Sequence, residues 1–183
     1  MNPFTCLICG ETYLGGEAPD RCPFCGAHKM YLLPSSVYID NGRGELSEQS
    51  RKDCQEALQF KLKNQSFYRC AAENAENPVT EKIFKRLAKQ EAEHAKLLCE
   101  IMGIEETEPT REACASGDVT NFKEANGRER RAINFCHQVA TRAPEARVKE
   151  VFRAIAEIEI EHLKLSKIYG SIYGGICGDI EMK

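Results

Sequence analysis

Two short stretches of this sequence each place a glutamate three residues before a histidine. They are Glu91 with His94, and Glu159 with His162. Residues three apart on an α-helix project from the same face, so each pair offers one carboxylate oxygen and one imidazole nitrogen to a single point. Some four-helix bundles bind two iron or manganese ions in this way. Two of their helices carry such pairs, and each of the other two helices adds one inward glutamate. The pattern therefore predicts a metal centre between helices.

The two stretches belong to an internal repeat. A displacement of 68 residues aligns 61–103 with 129–171 without a gap and gives 10 identities, which include both glutamate and histidine pairs. A repeat of this kind indicates a duplicated helical hairpin. The alternative is that these glutamates and histidines lie on solvated helix faces. Two histidines at one repeat position, in a chain that has only four, favour the metal centre.

Four of the ten cysteines form two Cys-x-x-Cys units near the N-terminus. They are Cys6, Cys9, Cys22 and Cys25. The glycine that follows each unit can take the positive φ that a tight turn needs. Four converging thiolates form a tetrahedral sulfur site that suits iron or zinc. Iron would make this module a one-electron carrier and zinc would be purely structural, and the spacing leaves both open.

The rest of the composition limits the class of protein. The remaining cysteines are scattered, and most are expected to be small buried apolar residues: Cys54, Cys70, Cys99, Cys114, Cys136 and Cys177. With 28 acidic and 25 basic side chains, the chain has no basic cluster for nucleic acid and no apolar run long enough for a membrane. Metal-type cysteines and the absence of a signal-peptide pattern favour a cytoplasmic protein.

Four helices must position the bundle ligands. Apolar spacing predicts them at about 47–75, 78–102, 120–142 and 144–169. Ser47 is expected to cap the first helix, Asn77-Pro78 to begin the second and Gly103 to end it. The stretch 103–119 reads as a crossover that lets the second hairpin lie against the first.

The predicted organisation is mainly α. A small four-cysteine metal domain is expected over residues 1–33, a linker over 34–46, a four-helix bundle over 47–172 and an irregular tail over 173–183.

The repeat register also predicts the two remaining ligand positions. Glu129 on the third helix stands seven residues before Cys136. The matching position on the first helix is Lys61, seven residues before Tyr68. One expected carboxylate is therefore replaced by an amine.

The sequence resembles the rubrerythrin family. The resemblance covers roughly 4–28 and 50–170, and it rests on the motifs CLICG, CPFCG, EAEH and EIEH in that order. It implies a ferritin-like four-helix bundle preceded by a rubredoxin-like domain, which is the order of reverse rubrerythrins.

The resemblance also implies roles for individual residues. Glu91 and Glu159 would bridge two irons, and His94 and His162 would each bind one. Glu129 would be a terminal ligand and Tyr68 a hydrogen-bond partner of the ligands. The candidate catalytic residues are Glu91, Glu129, Glu159, Tyr68 and Lys61.

The implied activity is that of a non-haem iron oxidoreductase that reduces hydrogen peroxide or dioxygen species. Electrons would pass through the tetrathiolate iron from a redox donor protein or reductase. The resemblance further implies a homodimer in which electrons cross between subunits. Neither nucleic acid nor a membrane is expected as a partner.

Lys61 departs from the family pattern, and charge defines the consequences. Glu91, Glu129 and Glu159 supply three negative charges, which a protonated Lys61 and one divalent ion balance. Two divalent ions would leave an excess of two positive charges in a poorly screened interior. The site therefore holds one ion, or two ions beside a neutral lysine, or none because Lys61 pairs with Glu129 or Glu91.

Three functions remain open on the sequence alone. The first is a peroxide-reducing enzyme. The second is a non-catalytic metal-binding or electron-transfer protein whose bundle site is altered by Lys61. The third is an adaptor whose four-cysteine module holds zinc and binds a partner, since zinc is possible in either site.

Overall fold

A computed structural model describes residues 1–40 and 44–174. Four long helices dominate it: α1 (Glu48–Glu73), α2 (Pro78–Met102), α3 (Asp118–Arg142) and α4 (Ala146–Tyr173). α1 packs along α2, α3 packs along α4, and the two hairpins meet where α1 contacts α3. The predicted four-helix bundle of two hairpins is confirmed. Within the described ranges, each helix lacks the length or the apolar character that a bilayer span requires.

Local capping explains where α1 and α2 begin and end. The Ser47 hydroxyl accepts the backbone N–H of Ser50 at 3.2 Å, so α1 begins as predicted. The Asn77 side chain accepts two N–H groups in the first turn of α2, and Pro78 follows it at a position where no N–H is needed. Gly103 ends α2 in the left-handed region with φ 66°, which only glycine adopts readily. These three predictions are confirmed.

The second hairpin differs from the prediction at its ends. α3 begins two residues before Thr120, and α4 continues four residues beyond Tyr169, so the predicted helix end there was wrong. Gly170 explains the continuation: a Cβ at this position would lie 3.3 Å from Cβ of Phe122, so the missing side chain lets α4 pack closely on α3. Most of the predicted irregular tail, including Cys177, lies outside the described residues.

The N-terminal module is built on a small antiparallel sheet. Its strands are β1 (Asn2–Cys6), β2 (Thr12–Gly15) and β3 (Leu32–Pro34), in the order β2-β1-β3. This sheet could not be predicted from the sequence, because strands of three to five residues contain too little alternation of apolar and polar residues to detect. The glycines after the two cysteine units, Gly10 and Gly26, have φ of 75° and 87°, as predicted.

The module packs directly on the bundle of the same chain, and its cysteines share one apolar core with α2 and α4. The Arg147 guanidinium on α4 donates to the carbonyls of Leu7 and Ile8 at 2.6 and 2.7 Å. Lys96 on α2 forms an ion pair with Glu11 at 2.7 Å. These contacts anchor the first cysteine unit to both hairpins.

Two of the scattered cysteines form a disulfide between Cys70 on α1 and Cys114 in the crossover. The prediction that such cysteines are buried apolar residues was wrong for this pair, since 44 residues separate them and nothing in the sequence pairs them. It is confirmed for Cys54, Cys99 and Cys136, which are free and buried. The cytoplasmic location stays a prediction, and cysteine usage supports it less once a disulfide is present.

Candidate metal centres

The first centre lies in the module, where the two cysteine units place four sulfur atoms within 4.8 Å of one another. Cys6 and Cys25 have their sulfurs 3.8 Å apart, as do Cys9 and Cys22. A regular tetrahedron with metal–sulfur bonds of about 2.3 Å separates its sulfurs by about 3.8 Å. The four residues therefore fit one tetrathiolate ion.

The second centre lies in the bundle, where four side chains from three helices converge. One ligand atom from each of Glu91, Glu129, Glu159 and His162 lies within 4.8 Å of the others, and all four residues are buried. Glu91 comes from α2, Glu129 from α3, and Glu159 with His162 from α4. They face inward because the residues three and four positions away, such as Ala88 and Ala132, form the apolar core.

His162 presents its Nδ1 atom to the three carboxylates. This nitrogen lies 3.2 Å from Glu159, 3.6 Å from Glu91 and 3.9 Å from Glu129. Its other nitrogen, Nε2, lies 3.0 Å from Oε1 of Gln90 and donates to that amide oxygen. Burial would lower the pKa of His162, but the surrounding carboxylates, Glu159 foremost, raise it to about 10. The site thus strongly favours positive charge at Nδ1.

His94 contacts both centres. Its Nε2 atom donates to the backbone carbonyl of Cys25 at 2.8 Å, and its Nδ1 atom lies 3.6 Å from Oε1 of Glu159. Burial, and then the nearby Lys61, lower the pKa of His94, so the ring is neutral with a lone pair on Nδ1. The contact with Cys25 lies within one chain, whereas the family resemblance had implied electron transfer between subunits.

Lys61 is fully buried at the position that the repeat register assigned to it. Its ammonium donates to Oε1 of Glu159 and lies 3.2 Å from Oε2 of Glu91. Burial would lower the pKa of Lys61, but the carboxylates of Glu159 and Glu91 outweigh it and raise the pKa. Lys61 is therefore a cation, and it pairs with Glu159 and Glu91 rather than with Glu129. Glu129 instead accepts a hydrogen bond from the hydroxyl of Tyr68.

Comparison with known proteins gives the family. Residues 55–169 match the sequence profile of the family described as Rubrerythrin, and residues 4–32 match the rubredoxin-like domain of rubrerythrin. The chain belongs to the rubrerythrin family. It is similar to Reverse rubrerythrin-1 of Clostridium acetobutylicum, with 27% identity over an alignment of 190 positions, gaps included, that covers 96% of this chain and 97% of the relative. No solved structure matches it. The predicted ferritin-like bundle and the order of its two domains are confirmed.

Rubrerythrins are oxidoreductases whose two domains imply iron, and the bundle residues fit a bound cation. Both carboxylate oxygens of Glu91, Oε2 of Glu129 and Nδ1 of His94 are buried and make no hydrogen bond within residues 1–40 and 44–174. Buried polar atoms normally have a partner, and an ion between them would supply one. The ion pair between Lys61 and Glu91 brings charge close to one of these oxygens without hydrogen-bond geometry.

Two residues of this rubrerythrin site were missed by the sequence analysis. Gln90 accepts from His162, and its amide packs against Gly26 of the second cysteine unit, where a Cβ atom would lie 2.8 Å from Nε2 of Gln90. The repeat contains a signal for Gln90. The matching residue in the second copy is Ile158, an apolar core residue, so a glutamine at this position of the repeat departs from the apolar pattern. Gly26 carries no such signal beyond its place after Cys25.

Proposed function

We propose that this rubrerythrin is an iron-dependent oxidoreductase that reduces hydrogen peroxide to water with electrons supplied through the tetrathiolate site. Each peroxide takes up two electrons and two protons and yields two water molecules. The observation that carries the proposal is the hydrogen bond from His94 to the Cys25 carbonyl. It joins a side chain of the bundle centre to a residue of the sulfur centre at 2.8 Å.

Bound iron would supply two oxidation states and an open coordination position for the oxygen substrate. Cys6, Cys9, Cys22 and Cys25 would hold the module ion, and the candidate ligands Glu91, Glu129, Glu159, His94 and His162 surround the bundle position. The hydrogen bonds to Gln90 and to the Cys25 carbonyl direct Nδ1 of each histidine toward the carboxylates, as outer partners of metal-binding histidines do.

The chain also holds protons beside the centre. Burial, followed by the charge of Glu159, raises the pKa of Glu129 well above its usual range. The hydroxyl of Tyr68 donates to Glu129, and its pKa is also raised, first by burial. Glu129 would give up its proton to a cation bound at the centre and become a charged ligand, whereas Tyr68 would keep its proton at neutral pH, where the formation of water consumes protons.

A cavity of about 490 Å3 gives small molecules a route to the bundle centre. It lies between the module and the helices α2 and α4. Gln90 and His162 are part of its lining, together with apolar side chains such as Leu87 and Ile158. A peroxide molecule that entered this cavity would reach the ring of His162 directly.

Stopped-flow reoxidation tests the proposal. The iron-loaded protein is reduced anaerobically and mixed with hydrogen peroxide, and the colour of the oxidised tetrathiolate iron is followed. We expect rapid recovery of that colour in the wild type and at least about a hundredfold slower recovery in Glu159→Gln. Glu56→Gln, a change of the same kind at an exposed position on α1, serves as the control and keeps the wild-type rate.

A second function has one observation in its favour. Lys61 already pairs with two of the candidate ligands, which fits a non-catalytic metal-binding or electron-transfer protein. Recovery of colour at the same slow rate in the wild type and in Glu159→Gln would establish that function instead. Colourless protein that retains only zinc after growth on iron would favour the adaptor. The electron donor and the homodimer stay predictions.

A further inference from the structure

We propose that the bundle centre binds a single metal ion on the side of His162, and that the ammonium of Lys61 takes the place of a second ion on the side of His94. This inference concerns the number and position of ions, so it stands whether or not the centre reduces peroxide.

The repeat divides the centre into two sides. The hairpin of α1 and α2 contributes Lys61 and His94, and the hairpin of α3 and α4 contributes Glu129 and His162 at the matching positions. Glu91 and Glu159, which also match, lie between the two sides. A symmetric centre would have a carboxylate where Lys61 stands.

Glu91 and Glu159 each direct one carboxylate oxygen to the side of Lys61 and the other to the side of His162. Oε1 of Glu159 accepts from Lys61, whereas Oε2 of Glu159 lies 3.2 Å from Nδ1 of His162. Oε2 of Glu91 lies 3.2 Å from the Lys61 ammonium, whereas Oε1 of Glu91 lies 3.6 Å from the same nitrogen of His162. The carboxylates therefore bridge two cation positions, and Lys61 occupies one of them.

The other position has the ligands of one ion. Glu91, Glu129, Glu159 and His162 form a set of ligand atoms within 4.8 Å of one another, and His94 is not part of that set. Oε1 of Glu91 and Oε2 of Glu129, which face this position, have no hydrogen-bond partner in the described part of the chain. Three carboxylates and an imidazole are a donor set that binds divalent iron, manganese or zinc.

Charge fixes the number of ions. The three carboxylates carry three negative charges, the Lys61 ammonium carries one positive charge, and one divalent ion brings the sum to zero. A second divalent ion would add two positive charges among side chains that are at most 4% exposed. Uncompensated charge of that size is strongly unfavourable in a buried site.

Metal stoichiometry tests the number. Metal-free protein is loaded anaerobically with ferrous iron, excess metal is removed, and iron per chain is measured by mass spectrometry. We expect two irons in the wild type, one in each centre, and three in Lys61→Glu, which restores the missing carboxylate. Lys63→Glu makes the same change of charge on the exposed face of α1 and is expected to keep two.

Single-residue variants test the position. His162→Ala is expected to lose the bundle iron of the wild type, whereas His94→Ala is expected to keep it. In Lys61→Glu, His94→Ala is expected to lose the added iron. Electron paramagnetic resonance of the oxidised protein provides a second readout. The sulfur centre gives one high-spin ferric signal in every variant, so a lone ferric ion in the bundle should double the high-spin signal per chain, whereas a coupled pair should add none.

Three results would overturn the proposal. Three irons in the wild type would mean that Lys61 does not exclude the second ion. One iron in the wild type, confined to the sulfur centre, would mean that Lys61 replaces metal altogether. Loss of the bundle iron in His94→Ala but not in His162→Ala would place the ion on the other side. This last comparison uses the wild-type Lys61, so it decides the matter even if Lys61→Glu does not fold.

Discussion

Gln90 decides which nitrogen of His162 faces the carboxylates. An imidazole that binds a metal is neutral, with one N–H donor and one lone pair, so a hydrogen bond donated by one nitrogen leaves the lone pair of the other for the metal. The amide oxygen of Gln90 accepts from Nε2, which leaves Nδ1 for the carboxylate side. We therefore propose that Gln90 positions the candidate ligand His162 from outside the cluster.

Replacement of Gln90 measures this support. We expect Gln90→Leu to weaken metal binding in the bundle about 10- to 100-fold, because outer hydrogen-bond partners of ligands contribute this much. Competition with a chelator would measure the affinity, and the sulfur centre should keep its metal. Lys89→Leu, a neighbouring exposed change, is the control. Equal affinities in Gln90→Leu and the wild type would show that the hydrogen bond does not position His162.

Among individual residues, the sequence predicts the candidate ligands better than the residues that form hydrogen bonds to them. The glutamate and histidine pairs, Glu129 and the substitution at Lys61 all follow from spacing and repeat register, and the structure brings these residues together. The carboxylates that pair with Lys61 could not be predicted from the sequence, because the repeat register gives a position along a helix but not the rotamer of a long side chain. The register therefore could not show that its ammonium reaches Glu159.

Among the elements, the crossover is fixed by a covalent bond. The disulfide between Cys70 and Cys114 closes a loop that contains all of α2, and 44 positions separate the two cysteines. A cross-link of this loop length restricts the unfolded chain and stabilises the fold by about 2–4 kcal/mol. The disulfide thus attaches the crossover to the C-terminal end of α1.

Removal of the cross-link is expected to lower stability. Cys70→Ser/Cys114→Ser should lose about 2–4 kcal/mol of unfolding free energy, because the unfolded chain regains the freedom of this loop. Urea unfolding followed by circular dichroism would measure the loss. A reductant should lower the midpoint of the wild type and leave that of the double variant unchanged. Equal midpoints of the two proteins would contradict the prediction.

An ion pair joins the first and third helices at one end of the bundle. The Arg142 guanidinium binds both carboxylate oxygens of the buried Asp53, with one nitrogen at 2.9 Å. Burial would raise the pKa of Asp53, but Arg142 and then Gln49 outweigh it and lower the pKa below its ordinary value of 3.8. A carboxyl with a lowered pKa stabilises the fold above that ordinary value and ceases to do so as the pH falls through the folded pKa.

The lowered pKa of Asp53 predicts how the stability of an Asp53 variant depends on pH. Asp53→Asn should lose about 1–2 kcal/mol at pH 7, a modest value because Arg142 is partly exposed. The difference from the wild type should shrink as the pH falls below 3.8. Urea unfolding at several pH values would measure it, with the exposed Glu56→Gln as the control. A difference that does not change with pH would mean that the ion pair is not its source.

Helices and caps were predictable because their signals are local. Ser47, Asn77 and Gly103 each act within one turn, so the sequence next to them contains the whole signal. The disulfide and the extended end of α4 depend on residues far apart in sequence. Gly170 reads as a helix breaker until Phe122 is seen beside it. A signal that lies in neighbouring residues does not predict a contact between residues so far apart in sequence.

For the whole molecule, docking of the module determines whether the two centres communicate. Arg147 donates to two carbonyls within the first cysteine unit, and His94 donates to one in the second. The domain boundaries at residues 33 and 47 remain predictions, but the contacts between module and bundle did not follow from the sequence at all. Backbone carbonyls accept these bonds, and a sequence does not show which carbonyls are free.

Loss of the Arg147 contacts should loosen the module without unfolding it. Arg147→Ala removes charged hydrogen bonds to Leu7 and Ile8 and should weaken docking by about 1.5–3 kcal/mol. Hydrogen exchange detected by mass spectrometry should then accelerate in residues 1–33, while the metal content of both centres stays unchanged. Lys167→Ala, an exposed change on the same helix, should exchange like the wild type. Unchanged exchange in Arg147→Ala would show that other contacts suffice.

The contact between His94 and Cys25 gives the duplicated bundle a direction. His94 belongs to the hairpin that carries Lys61, whereas His162 donates to Gln90, whose amide packs against Gly26 of the module. The hydrogen-bonded route from the sulfur centre reaches the hairpin that carries Lys61, whereas the proposed ion would be held by the candidate ligands around His162. Taken together, the two proposals assign electron entry to the hairpin of α1 and α2 and the binding of the oxygen substrate to the hairpin of α3 and α4.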